Sequence, residues 1–339
     1  MLRTTLFLQL FSYCFAVLCP IQNLLSAEKI LDTPFLQEFH HPHKIQISKA
    51  ANDLFTIAVD SRENIWAGGR TGLYVLAHGT TAWRAMLTEV NSGPVFKLLC
   101  DSTGTIWIAA WNGLHIFTPG KTLSAENLEK INGINTPLSA IGQLGGKIIA
   151  AGPAGWWEIH QENVQQVKIN NSREVKEILA ADDNGMWAAT GRGLFYHNDK
   201  GDQTFLASDE IITPYIKDIA FAANGDLWAA GLGGISVFRN HIRIANHVAH
   251  DGIPSSEISC VERAPDGRMW VGTSAGVSRF DGNSWSVRHS KRWLIHDDVR
   301  DIAFDKHGNA WIATREGVSA IVQKNMTLAQ KAEYILDIC

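Results

Sequence analysis

The sequence predicts an all-β chain: a seven-bladed β-propeller of four-stranded antiparallel blades, closed by an N-terminal strand and followed by a short C-terminal helix. Two observations predict it. First, Trp is followed by Gly six residues later at Trp66/Gly72, Trp107/Gly113, Trp187/Gly193, Trp228/Gly234, Trp270/Gly276 and Trp311/Gly317, and Ile149/Gly155 fills the long gap. Successive anchors lie 41, 42, 38, 41, 42 and 41 residues apart, a period suited to one blade per repeat. Second, each copy carries the same strand and turn signals around its anchor.

Those signals justify the strands in order. Twelve residues before the anchor an apolar residue opens a first strand in six copies: Leu54, Val95, Val175, Ile216, Ile258 and Val299. Another follows nine before the anchor, at Ile57, Leu98, Ile178, Ile219, Val261 and Ile302. Polar-glycine turns such as Ser102-Thr103-Gly104 and Pro265-Asp266-Gly267 then predict a hairpin into the anchor strand. The Gly at plus six permits a bend where φ must be positive, and an apolar residue after it starts a third strand. More polar fourth strands are expected at Thr81–Leu87, Asn127–Ile131, Asn163–Ile169, Gln203–Ala207, His241–His247 and Ser284–Ser290. The seventh copy ends at Ile321-Val322 without room for one. Residues Lys44–Ile47 alternate and are expected to supply it, which removes the open seam of the ring.

Six of the 12 Trp thereby take one repeated role, packing between blades. The third copy has Ile149 at the anchor, and Trp156 or Trp157 is expected to fill the volume it leaves.

Composition narrows the class. An apolar fraction of 45% with a net charge of −4 excludes a disordered chain. With 34 acidic and 30 basic residues, a basic nucleic-acid binder is excluded as well. Residues 1–27, with Arg3, the apolar run Leu6–Leu18 and Leu25-Ser26-Ala27, read as an export signal. A periplasmic or extracellular location follows, with no membrane span once the signal is removed. Residues 28–43 are read as a lead-in, 44–323 as the propeller and 324–339 as an amphipathic helix. Thr327 is its expected N-cap, with Gln330 completing a capping box. No C-cap signal ends that helix, so it is expected to be the first helix of a further module. Cys100 and Cys260 sit in apolar strand patterns and are read as buried small hydrophobes.

The repeat resembles the two-component regulator propeller repeat, most clearly over Gly252–Ile258 and Ala264–Asp281, with Asp305–Val318 close behind. The resemblance implies a propeller of the kind that forms the periplasmic sensor of membrane-bound hybrid histidine kinases, where such propellers are thought to detect oligosaccharides. The kinase and receiver regions of that setting are missing from the sequence.

A ligand is expected at one end of the central channel, where two sets of loops meet. The loops after the anchor strand supply Arg70, Trp111, Asn112, Arg192, Arg315 and Glu316. The loops leading into the first strands, thirteen before the anchor, supply Tyr215, Glu257 and Asp298, together with Asp53, Pro94, Thr136 and Glu174. Guanidinium and carboxylate groups bind hydroxyls and acids by charge-assisted hydrogen bonds, and aromatic faces stack on sugar rings. The expected ligand is an oligosaccharide or a peptide, with a protein partner as the other candidate. No cofactor, metal or catalytic residue is assigned. The alternative is a lyase or hydrolase of the streptogramin-lyase or polysaccharide-lyase kind, using His, Glu and a metal at the mouth. The 13 His show no ligand spacing such as His-x-x-x-His, and no Gly-x-Ser-x-Gly elbow is present.

Overall fold

A computed structural model describes residues 32–161, 163–169, 174–181, 184–206 and 211–338. The expected signal at 1–27 lies outside them. The described residues fall into two compact units, one within 38–323 and the other made of 32–37 and 324–338.

Among the described residues the larger unit holds seven sheets of four antiparallel strands, each running outward in chain order in blades 1 to 6. In blade 1 the strands are Leu54–Val59, Ile65–Gly69, Gly72–Leu76 and Trp83–Thr88. All seven glycines at plus six have positive φ, from 119° at Gly276 to 147° at Gly234. A Cβ at Gly72 would lie 2.2 Å from the Leu87 carbonyl oxygen, so the bend needs glycine for space as well as for φ.

The ring closes through an N-terminal strand, but not through Lys44–Ile47. The strand is Phe35–His43, the outermost member of blade 7, paired beside Gly317–Met326. Residues 44–47 instead form a turn, where Asn52 Nδ2 donates to the Ile45 carbonyl and Asn52 Oδ1 accepts from Ile45 N–H. A carboxylate fixes the closing strand. Glu38 accepts from Arg288 Nε at 2.8 Å and from Arg279 Nη1 at 2.7 Å, tying blade 7 to the outer strands of blade 6.

Seven hydrophobic clusters lie at the seven blade interfaces, and each contains or contacts one anchor. Trp66, Trp187, Trp228 and Trp270 are buried there. Indole N–H groups need an acceptor in such a place. Asp60, Asp101 and Asp305 provide it for Trp66, Trp107 and Trp311 at 2.9, 2.7 and 3.2 Å. Ile149 shares its cluster with Trp156, which is 1% exposed, whereas Trp157 packs on the opposite side against blade 2.

Blade 3 also departs in register. Its first hairpin has a two-residue loop, Gly145-Gly146, so Gly142 pairs with Ile149. In the other blades the residue eight before the anchor takes that place, as Leu99 does opposite Trp107. The mouth position in blade 3 is therefore Pro137 rather than Thr136: Pro137 backs Gly152 as Asp53 backs Gly69.

In the smaller unit, a helix spans Leu328–Ile338. Its N-terminus carries the expected capping box: Gln330 N–H donates to Thr327 Oγ1 at 3.2 Å and Thr327 N–H to Gln330 Oε1 at 2.9 Å. Asp32 accepts from the next two amides, Leu328 and Ala329, and these bonds lower its pKa.

Candidate functional site: the two ends of the central channel

The first strand of each blade lines the channel, and a bulge shapes what it shows. In blades 1, 2, 4, 5, 6 and 7 the register shifts between the residues twelve and ten before the anchor. The extra residue, eleven before the anchor, is left out of the ladder. At this position Phe55, Phe96, Lys217 and Arg300 meet loop residues of the upper mouth, while Ser259 Oγ donates to the Val299 carbonyl of the next blade.

The inner ring, ten before the anchor in six blades and nine before it in blade 3, is Thr56, Lys97, Ala140, Glu177, Asp218, Cys260 and Asp301. Three members accept the N–H of the next blade's first strand: Thr56 from Leu98 at 3.1 Å, Asp218 from Val261 at 2.8 Å and Asp301 from Ile57 at 2.9 Å. The last of these spans the closure of the ring. Lys97 pairs with Glu177 past blade 3, where small Ala140 stands between them. Burial works against the Lys97 charge, but Glu177, Asp301 and Asp218 outweigh it and hold the ammonium well above its usual pKa. Burial raises Asp218 well above the carboxylate range, and raises Glu177 and the Cys260 thiol too. Glu262 lines the channel and is open to it, yet protein surrounds it; burial and then the Asp301 charge push it up to about 7. The channel at this end encloses about 910 Å³.

The outer ring, at the bulge in six blades and just before the inner-ring residue in blade 3, is Phe55, Phe96, Ser139, Lys176, Lys217, Ser259 and Arg300. Phe55 and Phe96 lie parallel, centroids 6.1 Å apart and planes within 4°. Trp111 continues the run 6.4 Å from Phe96, and the Arg70 guanidinium sits 5.9 Å over Phe55. Blades 1 and 2 thus present an aromatic strip, while blades 4, 5 and 7 present Lys176, Lys217 and Arg300. Sequence reasoning missed both sets. The sequence analysis assigned no role to Phe55 or Phe96; both sit at the bulge of their strands.

The expected mouth residues fall into three groups. Trp111 and Tyr215 are 57% and 53% exposed, although both are large aromatics. Arg192, Arg315 and Glu316 are also exposed. Arg315 and Glu316 line a recess of about 890 Å³ with Lys44, Lys49 and Asp53. In the second group, charges pair within the rim. Arg70 Nε donates to Asp53 Oδ2 at 2.6 Å, Arg300 Nη2 to Asp298 Oδ2 at 2.7 Å, and Lys217 lies 3.4 Å from Glu257. These pairs are partly solvated and contribute little stability, so a ligand displaces them at small cost. Asn112 forms the third group: its side chain is half-buried and held by hydrogen bonds to its neighbours. Its Nδ2 donates to the Asn91 carbonyl at 2.7 Å, and its Oδ1 lies 2.8 Å from His115 Nε2. Burial, then the Lys130 charge, lowers His115 to about 4, so it is neutral at physiological pH.

Histidines elsewhere are dispersed. His197 pairs with Asp202, and His247 packs against Trp228 and Trp285. His296 accepts from Asp298 N–H. Among the described residues no three His, Cys, Asp or Glu side chains group as metal ligands. None of their helices is long and apolar enough to cross a membrane.

A family model described as two component regulator propeller matches residues 252–275, within the segment that showed the clearest resemblance. No curated protein matches the chain. The extracellular domain of the putative one component system BT4673 from B. thetaiotaomicron is similar at TM-score 0.70 and 14% identity, over 83% of this chain. The match spans 39% of that chain. A streptogramin B lyase matches at TM-score 0.66 and 14% identity, over 86% of this chain and 98% of the lyase. The virginiamycin B lyase of Staphylococcus aureus does so at 0.66 and 14%, over 85% and 99%. At such identities the likeness is one of fold. Seven blades and the matched segment together make this chain a propeller that carries the two component regulator propeller repeat.

Proposed function

We propose that the chain is an exported binding module, not an enzyme, and that it holds a polar ligand of oligosaccharide type at the upper mouth. The observation that carries this reading is the split rim. Phe55, Phe96 and Trp111 form a strip on blades 1 and 2, and Lys176, Arg192, Lys217 and Arg300 are carried by blades 4, 5 and 7. Aromatic faces accept the C–H face of a sugar ring, and cationic groups bond to hydroxyls and acids. The exposed Trp111 matters most, because burying so large an apolar side chain in water-free contact is favourable by about 1.5–3 kcal/mol. The location follows from export, and the role is that of a sensor acting through a protein partner or an attached module.

A glycan array tests this. The chain is expected to bind a subset of oligosaccharides, and the triple variant Arg70→Ala, Arg192→Ala, Arg315→Ala is expected to lose that binding. Unchanged binding by the variant, or no binding by the parent, contradicts the reading. Turnover of any bound glycan would place the protein among lyases or hydrolases instead.

A further inference from the structure

We propose that the opposite face carries a second site, between blades 1 and 2, for the oxyanion of a small acidic ligand, a carboxylate or sulfate on a body of monosaccharide size. The recess there encloses about 330 Å³. That volume equals on the order of ten waters and falls within the range of small-molecule sites.

An unusual loop builds it. Between the third and fourth strands of blade 2, residues 118–127 intervene, whereas two residues separate the same strands in blades 3, 4 and 5. The loop folds back on the interface with blade 1. Leu123, with Leu128 just after the loop, packs against the core shared by the two blades. Asn127 Nδ2 donates to the Thr122 carbonyl at 2.8 Å and Asn127 N–H to the Ser124 carbonyl at 3.1 Å, holding its shape. Pro119 and Leu123 supply apolar wall, and Gly104 and Gly120 leave the floor open.

Three cations and one carboxylate line the recess: Arg62, Arg84, Lys121, which pairs with Glu129, and Asp60. Arg62, on the first hairpin of blade 1, and Arg84, on its outer strand, both line it. Arg62 Nη2 lies beside Gly120, 4.0 Å from where a Cβ would stand. Neither guanidinium has an ion-pair partner among the described residues. The nearest candidate, Asp60, is already committed: it accepts from Arg62 N–H, Asn64 N–H, Asn64 Nδ2 and Trp66 Nε1 at 2.8–2.9 Å. Two free guanidinium forks facing a walled recess are the arrangement that binds carboxylate or sulfate by paired hydrogen bonds. The recess at the same level between blades 6 and 7, about 300 Å³, is lined by Asp266, Lys306 and His307 and has no arginine in its wall. The anion preference therefore belongs to blades 1 and 2.

Calorimetric titration at low ionic strength with glucuronate, glucose 6-sulfate and neutral glucose tests the site. At least one acidic sugar is expected to bind, with glucose roughly tenfold weaker or worse, since hydrogen bonds to charged groups carry that much. The difference between the two acids assigns carboxylate or sulfate. Arg62→Gln and Arg84→Gln, singly and together, are expected to remove the preference for acid, while the upper-mouth triple variant keeps it. The single variants read the result even if the double variant folds poorly. Equal binding of all three sugars, no binding of any, or loss only in the upper-mouth variant overturns the proposal. It stands or falls separately from the upper-mouth reading.

Discussion

Adjacent residues on the same bulged first strands have opposite fates. Ten before the anchor, Thr56, Asp218 and Asp301 reach sideways and accept a backbone N–H from the next blade. Eleven before it, Phe55, Phe96 and Arg300 turn to the mouth and meet loop residues. One register irregularity separates a position that holds the ring together from one that is free to vary in chemistry. A propeller can thus change its ligand without touching its closure.

Two tryptophans sharpen that contrast most. Trp156 is 1% exposed and shares a cluster with Ile149, so Trp156→Ala should destabilise by about 3–5 kcal/mol. Trp111 is 57% exposed, and Trp111→Ala should shift stability by less than about 0.5 kcal/mol. Denaturant unfolding checks both. Equal losses would break the division between interface and mouth.

Next comes the neighbouring pair on one strand. Asp301→Ala leaves Ile57 N–H without its acceptor across the ring closure and should cost about 2–3 kcal/mol. Arg300→Ala removes only a rim ion pair and should cost less than about 1 kcal/mol. Similar melting temperatures for the two variants would remove the basis for assigning them different roles.

Protonation gives opposite slopes at the two levels. His115, behind Asn112, titrates at about 4 in the folded chain against 6.5 ordinarily. Between those values the unfolded chain binds more protons, so its contribution is present above about 6.5 and lost as pH falls to about 4, at most roughly 3 kcal/mol. His115→Gln should flatten the acid limb of the stability profile. Glu262 in the channel is raised from 4.5 to about 7, so the folded chain binds more protons in that window. Stability then falls as pH rises through it, and Glu262→Gln should remove that fall. Thermal unfolding across pH reads both, and slopes of the same sign in the two variants would contradict the assignment.

The repeated parts were legible because a period of about forty residues recurs in the chain itself: anchors, plus-six glycines and inner hairpins. Outside the repeat, the helix cap was legible from its local Thr327/Gln330 spacing, but the ring closure was not. The closing strand Phe35–His43 contains Pro42 and lacks clean alternation, so alternating Lys44–Ile47 looked better. The Glu38 fork with Arg279 and Arg288 joins residues more than two hundred positions apart, with no local signal. Thr136 was misplaced by one because the Gly145-Gly146 hairpin is shorter than its counterparts. At the mouth, loop residues were found from their spacing. Phe55 and Phe96 were missed, because a bulge cannot be read from apolarity alone.

The central claim is that the upper mouth binds through its aromatic strip. Calorimetric titration of the parent and of Trp111→Ala with the strongest oligosaccharide from the array tests it most directly. The account predicts at least roughly tenfold weaker binding by the variant, the scale of one lost aromatic contact, at an unchanged melting temperature. Equal affinity in the two proteins would contradict it.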